Sequence, residues 1–510
     1  MKRVLITILA AFAVTSTTYG QGVLDALRFS EIKYEGTARS MAMGNAFTSL
    51  GAESYSISIN PASSAVYNFS EFTFTPSISS EQRSSIYLQN TEEENWTRFG
   101  IANAALVSSF NTNNPYGLKN INIGVAINRL NNYSSRSYSL GTNAQSSWLG
   151  SLAAGLSGVY NGNLNINDEW NPFYDFPEAS WKEILAWNSN LIDPLPDSDY
   201  DYIAATENIR DFQIIQAGAV EQEFYREQKG SLAEVLFNVG ANYSDIFFVG
   251  INVGIQSIEF SDYQRYSEYA VSPALFDAQF SSFSHIYRQN STGTGVNLKA
   301  GIIALPFEGL RIGASIATPT WFFMKDTWEE EIDAAYSDGY TSNILSPLGE
   351  YRYRINTPLR WNVGASYVLG KLALLSIDYE GIDYSSIVMM SDNGDKSEFR
   401  NDNDYMEREF NSAYSLRAGI EIKPAKNTAL RAGYTLYSQP EKNYGDDTEY
   451  ISGGVGFSGK AGMFLDMAFR KRLSSSENFS LYGDYAGIEA PVGTMEKNNW
   501  NLLLTLGFRF

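Results

Sequence analysis

The chain has no cysteine and a single histidine, His285, among its 510 residues. Without cysteine there is no disulfide framework and no thiolate metal site. One imidazole is also poor footing for haem or zinc. Past the run from Val4 to Val14, no stretch approaches the roughly 20 consecutive apolar residues of a membrane helix. Positive charge is scarce as well: 37 Lys and Arg stand against 57 Asp and Glu, and the net charge of -20 disfavours nucleic acid as a partner. No GxSxG elbow, phosphate loop or HExxH pair occurs, so no catalytic residues, metal or cofactor are expected.

Aromatic residues and glycine are abundant, with 33 Tyr, 30 Phe, 9 Trp and 41 Gly, yet the mean hydropathy is -0.24. That balance suits strands whose faces alternate between lipid and a polar lumen, with aromatic girdles at the interfaces. The last ten residues show the alternation. Leu502, Leu504, Leu506, Phe508 and Phe510 share one face, and Asn501, Thr505, Gly507 and Arg509 share the other, which Leu503 interrupts. The strand from Lys119 to Asn132 repeats it, with Ile121, Ile123, Val125 and Ile127 set against Asn120, Asn122, Gly124, Ala126 and Asn128. At the other end, Lys2 and Arg3 precede the apolar run, and small residues at Thr18 and Gly20 follow. This predicts a secretory signal peptide over residues 1–20 with cleavage before Gln21.

The fold class expected is therefore all-β: a transmembrane antiparallel β-barrel of about 14 strands over residues 69–510. Short turns alternate with long polar stretches at 81–97, 133–230, 261–291, 320–351, 385–410, 439–449 and 473–497, which are expected as outer loops. A soluble sandwich gives no reason for such alternation, and a propeller would show a fixed repeat. Residues 21–68 do not alternate. They combine small residues with Leu24, Leu27, Phe29, Met41, Met43, Phe47 and Leu50, too many apolar groups for disorder, and a plug inside the barrel would bury them.

The run Thr37 to Gly51 (TARSMAMGNAFTSLG), followed by Asn60-Pro61-Ala62, resembles the amino-terminal hatch of FadL/TodX-type outer-membrane transporters of long-chain fatty acids and other hydrophobic compounds. Thr318-Pro-Thr-Trp321, Asn356-Thr-Pro-Leu-Arg360, Leu374 to Ser385, Leu416 to Tyr437 and the terminal Phe510 extend the resemblance to the end of the chain. It implies a fourteen-stranded barrel in the cell outer membrane whose lumen is plugged by a hatch containing Gly44, Asn45, Asn60, Pro61 and Ala62. It also implies lateral release of ligand beside a kinked third strand, where Gly124 is the candidate for the kink. Ser63 departs from the glycine usual after Asn-Pro-Ala.

Within 133–230, Ser180 to Ile192 reads as a short amphipathic helix with Ser180 as N-cap and Glu183 completing a capping box. Trp170, Phe173, Trp181, Ile184, Leu185 and Trp187 are the candidate ligand-binding residues, since aromatics and aliphatics line pockets for apolar ligands; packing of the loop onto the barrel rim is the alternative. Acidic groups gather at Asp326 to Asp338 and at Asp392 to Asp404, which suits either calcium between neighbouring lipopolysaccharides or a solvated loop. Passive uptake of a hydrophobic small molecule, long-chain fatty acids by default, is the function expected of a monomer surrounded by outer-membrane lipid and lipopolysaccharide. A FadL-like barrel that serves type IX secretion by holding a protein partner is the alternative, and a barrel-wall lipase using His285 is a further one.

Overall fold

The computed structural model describes residues 22–370, 372–442, 445–459, 461–473 and 475–510. The expected signal peptide lies outside the described residues. Fourteen antiparallel strands close into a barrel: β1 Glu71–Tyr87, β2 Asn90–Asn111, β3 Leu118–Asn132 with a continuation at Ser135–Asn143, β4 Val220–Tyr243, β5 Phe247–Ala270, β6 Phe280–Phe307 and β7 Leu310–Ala317 resumed at Trp321–Tyr336. They continue with β8 Gly349–Asn356 and Arg360–Leu369, β9 Ala373–Asp383 and Val388–Ser391, β10 Ser412–Ala425, β11 Thr428–Tyr437, β12 Thr448–Ser458, β13 Met463–Arg472 and Ser475–Ser480, and β14 Val492–Arg509. The first and last strands pair from Glu71↔Arg509 to Ile86↔Thr494, so the ladder has no free end at the seam.

Alternation decides which face meets what. On β3, Ile121, Ile123, Val125 and Ile127 are exposed on the outside while Asn120, Asn122 and Asn128 are buried inside. On β5 the exposed set is Phe247, Val249, Ile251, Val253 and Ile255; from Ser257 onward the outward residues are polar. A band of exposed Ile, Val, Leu and Phe around the whole wall far exceeds the apolar patches of soluble proteins and marks the hydrocarbon zone. Among the described residues no helix is long and apolar enough to cross a membrane; the crossing is made by strands.

The strands are longer than that crossing needs. About 9–11 residues span a bilayer as a tilted strand, whereas β5 has 24 and β6 has 28. The stretches expected as loops at 81–97, 261–291, 320–351 and 473–497 are thus largely wall. β1 and β2 meet in a two-residue turn at Leu88 and Gln89, both at positive φ as the tightest hairpin turns require. Above the membrane the outward face turns polar, as at Ser257 and Glu259 on β5, so the lipid-facing alternation stops while the backbone ladder continues.

Residues 22–67 lie inside the barrel as three short helices, α1 Val23–Ser30, α2 Ala38–Ala42 and α3 Ser56–Ile59, and a 3-10 turn at Pro61–Val66. The wall grips them from every side. Asn122 of β3, Asn238 of β4, Asn252 of β5, Ser315 of β7, Thr435 of β11 and Arg470 of β13 donate to backbone carbonyls of this segment. Leu503, the residue out of phase in the terminal strand, points inward and packs on Ala38, Met41 and Ala42.

Candidate functional site

Three regions stack along the barrel axis: a crown over the mouth, a packed apolar cluster beneath it, termed the chamber below, and the N-terminal segment filling the rest. The crown comes from the excursion between β3 and β4. Its helices α4 Trp148–Gly155, α5 Pro172–Asp175 and α6 Trp181–Asn188 gather on the upper ends of the strands around Tyr266, Phe280, Phe283, Trp328 and Ile332. α6 begins with the capping box at Ser180 and Glu183. Of the candidate ligand-binding residues, Phe173, Trp181, Ile184 and Leu185 are brought together, buried in this core, where Trp181 meets Trp328 at 5.4 Å. Trp170 and Trp187 are partly buried at its edge, their indole nitrogens donating to Asn163 O and Asn165 Oδ1. Glu207 is buried beside α4; burial pushes its carboxyl up, against the hydrogen bond it accepts from Ala204 N at 3.0 Å.

The chamber was not foreseen. Phe29 of α1, Tyr133, and Phe260 of β5 meet edge to face with centroids 5.7–5.9 Å apart. Around them lie Phe322, Met324, Tyr353, Ile355, Met389, Phe399 and Met406, the last on α7 Arg400–Glu409. The signal lay in the inward phase of the strands: on β5 it runs Asn252, Gln256, then Ile258 and Phe260, so the lumen turns from polar to apolar above the segment. Aromatic rings and three methionines pack here into an adaptable apolar cluster.

Below the chamber the contacts are polar. Arg129 binds Glu35 through Nε at 2.9 Å, Lys299 binds Glu234 at 2.8 Å, and Arg417 binds Glu380 at 3.1 Å. Of the expected hatch residues, Gly44, Asn60, Pro61 and Ala62 meet the wall, and Asn45 ties the segment to itself. Gly44 has φ +62 and sits so near β10 and β11 that a Cβ would lie 2.6 Å from Tyr434 O. Asn45 donates to Tyr34 O and accepts from Ser40 Oγ. Asn60 donates to Thr48 O and Ile302 O and caps Ala62 N. Pro61 O accepts from Asn238, and Ala62 is fully buried.

The wall is irregular in several places, a register shift at Thr75/Pro76 among them, and two of the others interrupt strands. Between β2 and β3 the ladder runs from Asn111↔Asn120 up to Asn103↔Asn128; β3 then shifts register at Arg129/Asn131 and breaks before Ser135. Gly124, the candidate for this kink, lies in regular ladder opposite Val107 and Asn238, so the bend falls five to ten residues beyond it. A space of about 50 Å³ behind this gap is lined by Lys33, Glu35, Glu81, Arg98 and Arg470 with Trp96. Arg98 bridges the gap, donating to Asn132, Ser134 and Gly230 O. The second irregularity interrupts β7 at residues 318–320 and β8 at 357–359.

Acidic residues Asp326 to Asp333 lie on β7, not in a loop. Asp326 accepts from Tyr353, Glu330 meets His285 at 2.8 Å, and Glu329 and Glu331 hold Arg288.

A closed, lipid-banded barrel whose lumen is occupied by its own N-terminal segment defines a class, the plugged transmembrane β-barrels. Its fold is the one seen in solved structures of a toluene transporter and of a FadL homologue. The chain aligns over 94% of its length with 99% of the toluene transporter TodX of Pseudomonas putida, at TM-score 0.57 and 11% identity. It aligns equally far with a FadL homologue of Pseudomonas aeruginosa, at TM-score 0.56 and 11% identity. A third, the monoaromatic hydrocarbon channel CymD, matches over 93% of this chain and 97% of its own, at TM-score 0.51 and 10% identity. No protein-family model and no curated protein sequence matches. At such identities the likeness is one of fold.

Proposed function

We propose that this barrel admits hydrophobic small molecules passively across the outer membrane, long-chain fatty acids being one candidate class and monoaromatic hydrocarbons another. The observation that carries the proposal is the apolar cluster of Phe29, Tyr133, Phe260, Phe322, Tyr353 and Phe399, packed inside the barrel between the crown and the N-terminal segment. In this reading residues 22–67 act as a hatch. They deny water a continuous path, so an apolar guest leaves sideways into lipid. The solved barrels of the same fold named for toluene and monoaromatic hydrocarbons support an apolar cargo, and neither a catalytic role nor a cofactor enters the proposal.

Binding should be driven by burial, at about 0.8 kcal/mol per methylene. Affinity for a fatty-acid series, measured by titration of the purified barrel, should therefore climb steeply with chain length until the chamber is full. A flat dependence would remove the support for an acyl ligand, and toluene binding alone would then favour the aromatic class.

A further inference from the structure

We propose that the polar recess behind the gap between β2 and β3 binds a phosphate monoester, either on the headgroup of a surrounding lipid or as free phosphate. Such a site stands apart from the transport reading, whatever the barrel carries. Among the described residues five cationic side chains are buried, Arg129, Lys299, Arg360, Arg417 and Arg470. Four of them meet a carboxylate: Arg129 that of Glu35, Lys299 that of Glu234, and Arg360 and Arg417 that of Glu380. Arg470 meets none. Its guanidinium donates to Tyr34 O at 2.7 Å and to Asn501 Oδ1 at 3.1 Å, and lies 4.6 Å from the centre of the Tyr450 ring. All three partners are neutral, and a cation taken out of water without a counter-charge is strongly disfavoured.

Arg98 faces the same recess in the same condition. Its Nη1 donates to Asn132 Oδ1, Ser134 Oγ and Gly230 O, while its Nε and Nη2 make no hydrogen bond to the described residues. A guanidinium has five N–H donors in a fork that fits the oxygens of a phosphate. The two carboxylates lining the recess are engaged elsewhere, Glu35 by Arg129 Nε at 2.9 Å and Glu81 by Arg83 Nε at 2.7 Å. Lys33, also in the lining, is 3.3 Å from Glu31. Those pairings leave Arg98 and Arg470 as two positive charges without an acid, in a chain whose net charge is -20. A phosphate monoester carries about -1.5 to -2 at pH 7, which matches the charge that is missing.

Size and position agree with that ligand. The recess of about 50 Å³ holds about four water-sized groups at roughly 10–15 Å³ each, as many as a phosphate has oxygens. It lies where β2 has lost its β3 partner, above Asn103↔Asn128. On the outside of β2, Phe99 and Ile101 are exposed in the apolar band and polar Thr97 and Asn95 follow. The gap is therefore level with the upper edge of the hydrocarbon, the depth of lipid headgroups. Trp96, in the lining, carries the Arg136 guanidinium 4.4 Å and the Lys229 ammonium 5.4 Å from its ring centre; both cations share Glu227.

The full-length barrel in a phosphate-free maltoside detergent is titrated with inorganic phosphate and with short-chain phosphatidic acid, followed by phosphorus NMR. Saturable binding is expected, weakened about tenfold or more by Arg98→Gln and partly kept by Arg98→Lys. Tighter binding of phosphatidic acid than of the free ion assigns the site to a lipid headgroup, and equal or weaker binding assigns it to free phosphate. Ser134→Glu places a carboxylate beside Arg98 and should abolish binding in a barrel shown to be folded by heat-modifiability. Absence of saturable binding of either probe, or undiminished binding in both Arg98→Gln and Ser134→Glu, would overturn the proposal and leave the transport reading untouched.

Discussion

The N-terminal segment and the crown both obstruct the barrel, and they are held by different chemistry. The segment packs small apolar groups on the wall, as Met41 on Leu503, and is anchored by polar contacts: its backbone carbonyls are taken by wall side chains, and Arg129–Glu35 and Lys299–Glu234 are paired beside it. The crown has its own apolar core and leans on the strand ends through rings such as Trp181 on Trp328. The difference teaches that the segment is specified by the wall around it, whereas the crown is specified largely by itself. A buried ion pair broken on one side leaves an uncompensated charge; an apolar core thinned by one side chain loses only local packing.

The largest effect should follow from breaking the polar set. Lys299→Ala strands Glu234, its buried ion-pair partner, which should cost about 3–5 kcal/mol, read as a lowered urea midpoint of the whole barrel in lipid vesicles. Leu185→Ala, in the crown core, should cost about 2–5 kcal/mol, but locally: protease should cut the crown faster while the barrel keeps its unfolding midpoint. If both variants lowered that midpoint together, the contrast between the two regions would collapse.

A smaller effect is expected from Glu207. Its carboxyl is raised in the fold by burial, so the folded crown holds a proton more tightly than the unfolded chain. Stability is then greatest below the ordinary glutamate value of 4.5 and declines as pH rises from there through the raised folded value. Hydrogen exchange of the crown should quicken over that window, and Glu207→Gln should flatten the dependence. Least of all should come from the exposed pair Arg210 and Asp277 at the rim: Arg210→Ala is expected to leave crown protection unchanged.

How much of this was legible in the sequence follows the same division. Where one face met lipid, as at Ile121, Ile123, Val125 and Ile127, the alternation revealed the strand and its facing. Where a strand rises above the membrane with both faces polar, as at Glu92 to Asn95, the pairing with β1 left no periodic trace. The capping box of α6 was readable because it is local. The chamber was not, because Phe29, Phe260, Phe322 and Tyr353 come from distant strands and a helix and meet only once the barrel closes. Leu503 looked like a fault in the pattern and proved to be a contact with α2.

The most direct test of the account is native mass spectrometry, with lipid extraction, on the barrel purified from the outer membrane in mild detergent. A recovered fatty acid, aromatic hydrocarbon or other apolar small molecule, lost when Phe29 and Phe260 are replaced by Asp, is the predicted result. An empty chamber together with a stoichiometric protein partner would contradict it and point to a barrel that receives proteins.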